Sequence, residues 1–188
     1  MVIKFALMTS ELLIEKLNRG FAQLDVNGNG QIDRDDVLGL GSRILLGFGE
    51  SPTSAKGIQV LDSYDALWEQ LTAHADADGD GVISPQEYRD GMTGAFVHGD
   101  KLDSVFQPAA EAVMRIADTD GDGTIDREEF ETLLRAFGTD GADIDAAFAA
   151  LDTDGSGQLT VDEMVAAARE YFTSEDPAAP GNLLFGQL

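Results

Sequence analysis

Four segments of 12 residues in this 188-residue chain repeat one pattern and align without gaps. They are DVNGNGQIDRDD (25–36), DADGDGVISPQE (76–87), DTDGDGTIDREE (118–129) and DTDGSGQLTVDE (152–163), called here loops 1 to 4. Each segment has oxygen-bearing side chains at positions 1, 3, 5 and 9, glycine at position 6, an aliphatic residue at position 8 and an acid at position 12. Such a repeat constrains the fold strongly, because one local structure must form four times in one chain.

The repeated oxygens are of the kind that calcium prefers as ligands. Ca²⁺ takes about six to eight oxygens at ~2.3–2.6 Å, and short acidic or amide side chains at alternate positions bring several oxygens to one point. Position 7 contributes its backbone carbonyl, and glycine at position 6 permits the positive φ of a sharp turn. The predicted ligands are Asp25, Asn27, Asn29, Gln31, Asp33 and Asp36 in loop 1; Asp76, Asp78, Asp80, Val82 and Glu87 in loop 2; Asp118, Asp120, Asp122, Thr124 and Glu129 in loop 3; and Asp152, Asp154, Ser156, Gln158 and Glu163 in loop 4.

Helices are predicted on both sides of every loop. Position 9 holds a good N-cap residue (Asp33, Ser84, Asp126 and Thr160), and an acid follows three residues later, which is the capping-box signature of a helix start. Apolar residues recur at helical spacing on the flanks, for example Ile144, Phe148 and Leu151 before loop 4. We therefore predict an all-α fold made of four helix–loop–helix units.

The four segments resemble the calcium loops of the EF-hand family. Loops 2 and 3 match the pattern D-x-[DN]-x-[DN]-G-x5-E in full, whereas loop 4 departs from it at Ser156 and loop 1 departs from it at Asp36. The resemblance implies two pairs of units, each pair joined by a short β-bridge between its two loops at position 8. These bridges would join Ile32 to Ile83 and Ile125 to Leu159.

The spacing of the loops favours one group within that family. The first aspartates of successive loops are separated by 51, 42 and 34 residues. This order resembles that of the sarcoplasmic calcium-binding proteins and their bacterial relatives, the calerythrin group, over about residues 9–175, and it implies a compact body without a long exposed central helix. We expect an N-terminal pair at 9–92, a connector at 93–103, a C-terminal pair at 104–173 and a tail at 174–188.

The connection between the pairs is predicted to bend. Residues 91–109 include three glycines and Pro108, which make one continuous helix across this stretch unfavourable.

The charge balance agrees with cation binding and excludes other classes of partner. Thirty-five acidic residues against 12 basic ones give a formal net charge of −23, which disfavours binding to nucleic acid and to anionic lipid.

There is no cysteine, no apolar run near the ~18 residues of a membrane span, and no secretory apolar region in MVIKFALM. We expect a cytoplasmic monomer, and the abundance of alanine, glycine, aspartate and arginine suggests a GC-rich bacterial genome.

The four sites are expected to differ in affinity. Loop 3 offers five acids and loop 2 offers four, whereas loops 1 and 4 offer three each, so loops 2 and 3 should bind calcium most tightly. Asp36 is one methylene shorter than glutamate and could bind through a single oxygen, which favours magnesium. Up to four Ca²⁺ ions are therefore predicted, with site 1 the weakest or Mg²⁺-competent.

No catalytic arrangement is predicted, because His74 and His98 are the only histidines and the sequence places no candidate nucleophile beside either of them.

Two roles for bound calcium stay open. A sensor would expose a hydrophobic groove and grip an amphipathic helix of a target protein, and such grooves are rich in methionine. Of five methionines, only Met92, Met114 and Met164 lie in the units, which favours a calcium buffer. The apolar tail residues Leu183, Leu184 and Phe185 either fray or dock in such a groove.

Overall fold

The computed structural model describes residues 10–94, 102–139 and 144–185. These ranges form eight α-helices: α1 (Glu11–Leu24), α2 (Arg34–Gly47), α3 (Ala55–Ala75), α4 (Pro85–Met92), α5 (Leu102–Ala117), α6 (Arg127–Ala136), α7 (Ile144–Leu151) and α8 (Val161–Thr173). A 3₁₀ helix follows at Pro180–Leu183. Loops 1 to 4 lie between α1 and α2, α3 and α4, α5 and α6, and α7 and α8. The predicted all-α fold of four helix–loop–helix units is confirmed.

Every helix that leaves a loop begins at the predicted cap. The position 9 side chains of all four loops accept a hydrogen bond from the backbone N–H of position 12, and the position 12 carboxylate accepts one in return. Pro85 occupies the first turn of α4, where its missing N–H leaves no helical hydrogen bond unmade. The last acid of each loop is therefore fixed by the start of a helix.

Two short antiparallel bridges join the loops in pairs. Ile32 and Ile83 exchange backbone hydrogen bonds of 2.9 and 2.8 Å, and Ile125 and Leu159 exchange bonds of 3.0 and 2.8 Å. All four side chains are fully buried, so each bridge places two loops side by side above the apolar core. These are the same two pairs of residues that the resemblance to the EF-hand family predicted to form bridges.

The two pairs of units pack directly on each other. Helix α3 of the first pair lies against α5 of the second, α2 lies against α6, and α1 lies against α8. The buried apolar side chains of all eight helices form one continuous core, which includes Trp68. Among the described residues, no helix combines the length and the apolar character needed to cross a bilayer.

The segment between the pairs differs in one respect from the prediction. Helix α4 ends at Met92, and α5 begins at Leu102, inside the predicted connector at 93–103. The bend was expected within residues 91–109, and residues 95–101 of that stretch lie outside the described residues. Pro108, which counted against a helix, lies within α5. Proline disturbs only the turn before it, so the later apolar residues Val113 and Ile116 still pack in the core and hold the helix together.

Candidate metal centres

Two glycines shape the backbone of each loop. In loop 2, Gly79 at position 4 and Gly81 at position 6 have φ values of 75° and 86°, and the other three loops repeat this pair of positive angles. A side chain at either position would be strained. Sequence reasoning singled out position 6 and missed position 4, although glycine recurs there in all four loops.

The aspartate at position 1 holds the turn closed. In loop 2, the two carboxylate oxygens of Asp76 accept hydrogen bonds from the backbone N–H groups of Gly79 (2.7 Å) and Gly81 (3.2 Å). Asp118 does the same in loop 3, with bonds of 2.6 Å from Gly121 and 3.0 Å from Gly123. These bonds use part of the acceptor capacity of each carboxylate and leave further lone pairs on both of its oxygens.

In loops 2, 3 and 4, the glutamate at position 12 closes the loop from the other side. Glu87 accepts from Ala77 N–H at 3.1 Å through one carboxylate oxygen and from Ser84 N–H at 2.9 Å through the other. Glu129 and Glu163 accept from the equivalent backbone groups at position 2 (2.7 and 2.9 Å) and position 9 (3.0 and 3.0 Å) of loops 3 and 4. The carboxylate therefore spans the loop from its second residue to its ninth.

Three loops bring carboxylates together closely enough to share a metal ion. In each, one oxygen from each of three acids lies within 4.8 Å of the others: Asp76, Asp78 and Asp80 in loop 2; Asp118, Asp120 and Glu129 in loop 3; and Asp152, Asp154 and Glu163 in loop 4. Three like charges at such distances repel unless a cation lies between them. The donors are all oxygen, which fits a hard divalent cation such as Ca²⁺.

The hydrogen bonds keep key acids ionised. The pKa of Glu87 lies below its usual value because hydrogen bonds from Ser84, first from its backbone and second from its side chain, stabilise the charged form. Partial desolvation acts in the opposite direction and is the smaller effect. Hydrogen bonds from the side chain and then the backbone of Thr124 lower the pKa of Asp122 in the same way. Both carboxylates are therefore ionised at neutral pH, so a cation can bind to them without displacing a proton.

Loop 1 has a different internal arrangement. Asp36 is 2% exposed, and its shorter side chain accepts from the backbone N–H (3.0 Å) and the side-chain amide (2.7 Å) of Asn27 at position 3. In the other loops, the position 12 acid reaches the N–H of position 2. Within the described residues, loop 1 brings no three acids within 4.8 Å of one another. The departure noted at position 12 therefore changes which groups meet inside the loop.

Loops 3 and 4 are linked by side chains as well as by their bridge. The amide of Gln158 donates to Asp122 at 2.5 Å, so a predicted ligand of loop 3 is also in contact with loop 4. Ser156 donates its hydroxyl to the carbonyl of Gln158 at 3.0 Å. Sequence reasoning gave Gln158 a role through its carbonyl alone and had no signal for this contact between loops.

Asp126 lies at position 9 of loop 3 and is not one of the three acids that converge there. Asp126 caps α6 by accepting from the N–H groups of Glu128 and Glu129, so this acid serves the helix. His74 lies at the end of α3, where the backbone of α4 approaches closely, and His98 lies outside the described residues.

Comparisons with known proteins agree with this geometry. Residues 107–169 match the family described as EF-hand domain pair, and residues 17–37 and 74–92 match that described as EF hand. Calerythrin of Saccharopolyspora erythraea is 27% identical over 166 residues, which cover 87% of this chain and 94% of calerythrin.

Solved structures of other proteins share the fold, and two of them are described here. A calcium-binding protein of Streptomyces coelicolor, whose structure is described as the basis for prokaryotic calcium-mediated regulation, is 34% identical, with a TM-score of 0.77 over 87% of this chain and 99% of that one. A sarcoplasmic calcium-binding protein from amphioxus has the same TM-score at 23% identity, over 95% of this chain and 98% of its own. With its four repeated loops, its paired units and these relatives, the chain belongs to the EF-hand family.

Proposed function

We propose that this protein is a calcium buffer that binds Ca²⁺ in loops 2, 3 and 4, with loop 1 as a weaker or magnesium-competent site. The observation that carries the proposal is the convergence of three carboxylates within 4.8 Å in each of loops 2, 3 and 4. Their ligands are those predicted from sequence, with Glu87 completing loop 2 from the start of α4.

The closed surface of the protein supports a buffer. Among the described residues, the large apolar side chains that are exposed are Ile14, Leu46 and Ile58, and they belong to three different helices. Met92 and Met114 are buried in the core and Met164 is partly buried against it. A buffer needs no apolar surface for a target, because its function ends with the bound ion.

Calcium titration of the chelator-treated protein by isothermal calorimetry tests the proposal. We expect three tight sites in calcium alone and in excess magnesium, and a fourth, weaker site that magnesium abolishes. Four equivalent sites would contradict the distinction of loop 1, and no heat of binding would overturn calcium binding altogether.

A calcium sensor is the second candidate. The Streptomyces coelicolor protein is described in terms of calcium-mediated regulation, and it is 34% identical to this chain. A sensor would present an apolar surface to a partner only in one calcium state. Pull-down from a lysate of the source cells, in calcium and in chelator, separates the two roles: calcium-dependent capture of a defined partner supports the sensor, and equal capture in both states supports the buffer.

A further inference from the structure

The aspartate at position 5 behaves differently in loops 2 and 3. In loop 2 this residue, Asp80, is one of the three acids that converge. In loop 3 the acids at positions 1, 3 and 12 converge, and the position 5 residue, Asp122, is not among them. The backbones of the two loops have the same pair of glycines with positive φ, so the difference lies in the contacts of the side chains.

Both oxygens of the Asp122 carboxylate are already engaged. Its Oδ1 accepts from the N–H (2.8 Å) and the hydroxyl (2.6 Å) of Thr124, and its Oδ2 accepts from the side-chain amide of Gln158 in loop 4 (2.5 Å). Asp80 accepts from the N–H of Val82 at 3.0 Å, and within the described part of the chain its other oxygen has no hydrogen bond. A cation in loop 3 must therefore compete with three donors for Asp122, whereas a cation in loop 2 competes with one donor for Asp80.

The first pair of loops provides an internal comparison. Gln31, at position 7 of loop 1, is related to Asp80 of loop 2 as Gln158, at position 7 of loop 4, is related to Asp122 of loop 3. Between the described side chains of Gln31 and Asp80 there is no hydrogen bond, and Asp80 converges with its neighbours. The two pairs have the same residue types, and the aspartate that the glutamine holds is the one that stays out of its cluster.

Gln158 extends its side chain from a backbone that loop 4 holds in place. The residue that follows it, Leu159, is fully buried in the bridge to Ile125. The Gln158 N–H donates to the hydroxyl oxygen of Ser156 at 3.3 Å, and the Gln158 carbonyl accepts from that hydroxyl at 3.0 Å. Because a carboxylate only accepts, the group that Gln158 presents to Asp122 is its NH₂. One residue thus joins the backbone of loop 4 to a ligand of loop 3.

We propose that Gln158 is a positioning residue that holds Asp122 outside the ligand cluster of loop 3, and so lowers the calcium affinity of loop 3 until loop 4 has filled. The Gln158 carbonyl is the position 7 ligand proposed for loop 4, so it must exchange the Ser156 hydroxyl for calcium when that loop fills. This exchange changes the contacts of the backbone from which the amide reaches Asp122, and the carboxylate is released to loop 3. The inference rests on the calcium binding proposed above and specifies how one of its sites regulates another.

The proposal changes the order of filling that the number of acids alone predicts. Loop 3 has five acids and loop 4 has three, which favours loop 3 as the tighter site. With one of its acids withheld, loop 3 fills after loop 4. The bridge at position 8 is present in both pairs of loops, so it cannot produce an order that is confined to the second pair.

A calcium titration of the full chain, followed by NMR, tests the proposal. The N–H groups of Gly123 and Gly157 donate to the position 1 aspartates of loops 3 and 4, at 3.0 and 2.8 Å, so their resonances report the two loops separately. In the unmodified chain, Gly157 should respond before Gly123. Gln158→Met keeps the length of the side chain without its donor, and Gly123 should then respond at about fivefold lower calcium. Gln59→Met, at an exposed position of α3, is the control and should match the unmodified chain.

A second variant separates positioning from a general effect on loop 3. Asp122→Ser gives loop 3 the residue that loop 4 has at position 5, with a side chain too short to reach Gln158. In this background, Gln158→Met should change the Gly123 midpoint by no more than about twofold.

Three results would overturn the inference: a Gly123 midpoint in Gln158→Met that is unchanged or moves to higher calcium, an equal gain in the Asp122→Ser background, or a Gly123 response that precedes that of Gly157 in the unmodified chain. Each of these leaves calcium binding in both loops intact. Absence of any response at both glycines would instead overturn the proposed function, and the inference with it.

Discussion

At the scale of single residues, the acid at position 12 performs two tasks in each loop. It caps the loop backbone at position 9 and reaches across to its beginning, where Glu87, Glu129 and Glu163 accept from position 2. Asp36 performs the first task, but its second contact is with Asn27 at position 3. The sequence predicted that loop 1 would differ at this residue, and the structure adds the contact that replaces the usual one.

Asp36→Glu should restore a full calcium site in loop 1. The longer side chain can reach the N–H of position 2, as in the other loops, and can offer both oxygens to the ion. We expect roughly tenfold tighter calcium binding at this site and loss of the magnesium competence proposed for it, measured by calorimetry. Asp35→Glu, at the exposed neighbouring position, is the control and should change neither property.

Glu129→Gln should weaken loop 3 selectively. The amide keeps the size of the side chain but removes one of the three charges that converge there. We expect calcium affinity at this site to fall by about 100-fold, with loop 2 little changed, in a titration followed by calorimetry. Glu128→Gln removes an equal charge from the exposed neighbour, and an equal loss of affinity in that variant would refute a specific role for Glu129.

At the scale of elements, two kinds of contact hold the loops in place: the β-bridges between paired loops and the packing between neighbouring helices. The bridge from Ile32 to Ile83 joins two loops that are 51 residues apart in sequence, and both side chains are fully buried. Helix α4 lies so close to α3 that a Cβ on Gly91 would be 2.7 Å from the Cα of Ala75. The periodicity of apolar residues predicted the helices, but it carried no information on how closely two of them would approach.

Ile83→Ala should destabilise the fold and weaken the link between loops 1 and 2. Removing a fully buried side chain beside the bridge should cost about 2–5 kcal/mol. Ile58→Ala removes the same atoms from a side chain that is 49% exposed, and it should cost no more than ~0.5 kcal/mol. Urea unfolding in excess calcium measures both values, and similar costs would contradict the role assigned to the bridge.

Gly91→Ala should also destabilise, because the added methyl group meets the backbone of α3. We expect a cost of about 1–3 kcal/mol in thermal or urea unfolding. Gly94→Ala is the matched control, since a Cβ at that position would meet nothing within 4 Å. A tolerated methyl group at position 91 would show that α3 and α4 can separate without loss of stability.

At the scale of the whole molecule, the two pairs of units form one body around a shared core. Contacts of α3 with α5, α2 with α6 and α1 with α8 connect them, and the tail adds hydrogen bonds to both. Acids converge in the loops above this core, and their charges repel one another. When no metal is bound, this repulsion lowers the stability of the folded state. We therefore expect metal binding and folding to be coupled.

Removal of calcium should lower the stability of the whole protein. Each site that binds the folded state alone contributes about 2.7 kcal/mol when calcium is present at 100 times its dissociation constant. Denaturation with and without chelator should show this loss, and equal stability would contradict the coupling. The fluorescence of Trp68, which is buried in α3 and so reports on the core, should follow the same transition.

The sequence alone determined the local features of this protein: the four loops, the capping box and helix that follow each, and the departure of loop 1 at Asp36. These depend on short-range rules, since a capping box, a glycine with positive φ or a run of alternating oxygens acts within about 12 residues. Only the tertiary structure decided how α3 meets α5, that α5 continues through Pro108, that Gln158 reaches Asp122, and that the tail is held by Arg19 and Thr139. Those contacts join residues distant in sequence, and their energies depend on packing that exists only once the two pairs have come together.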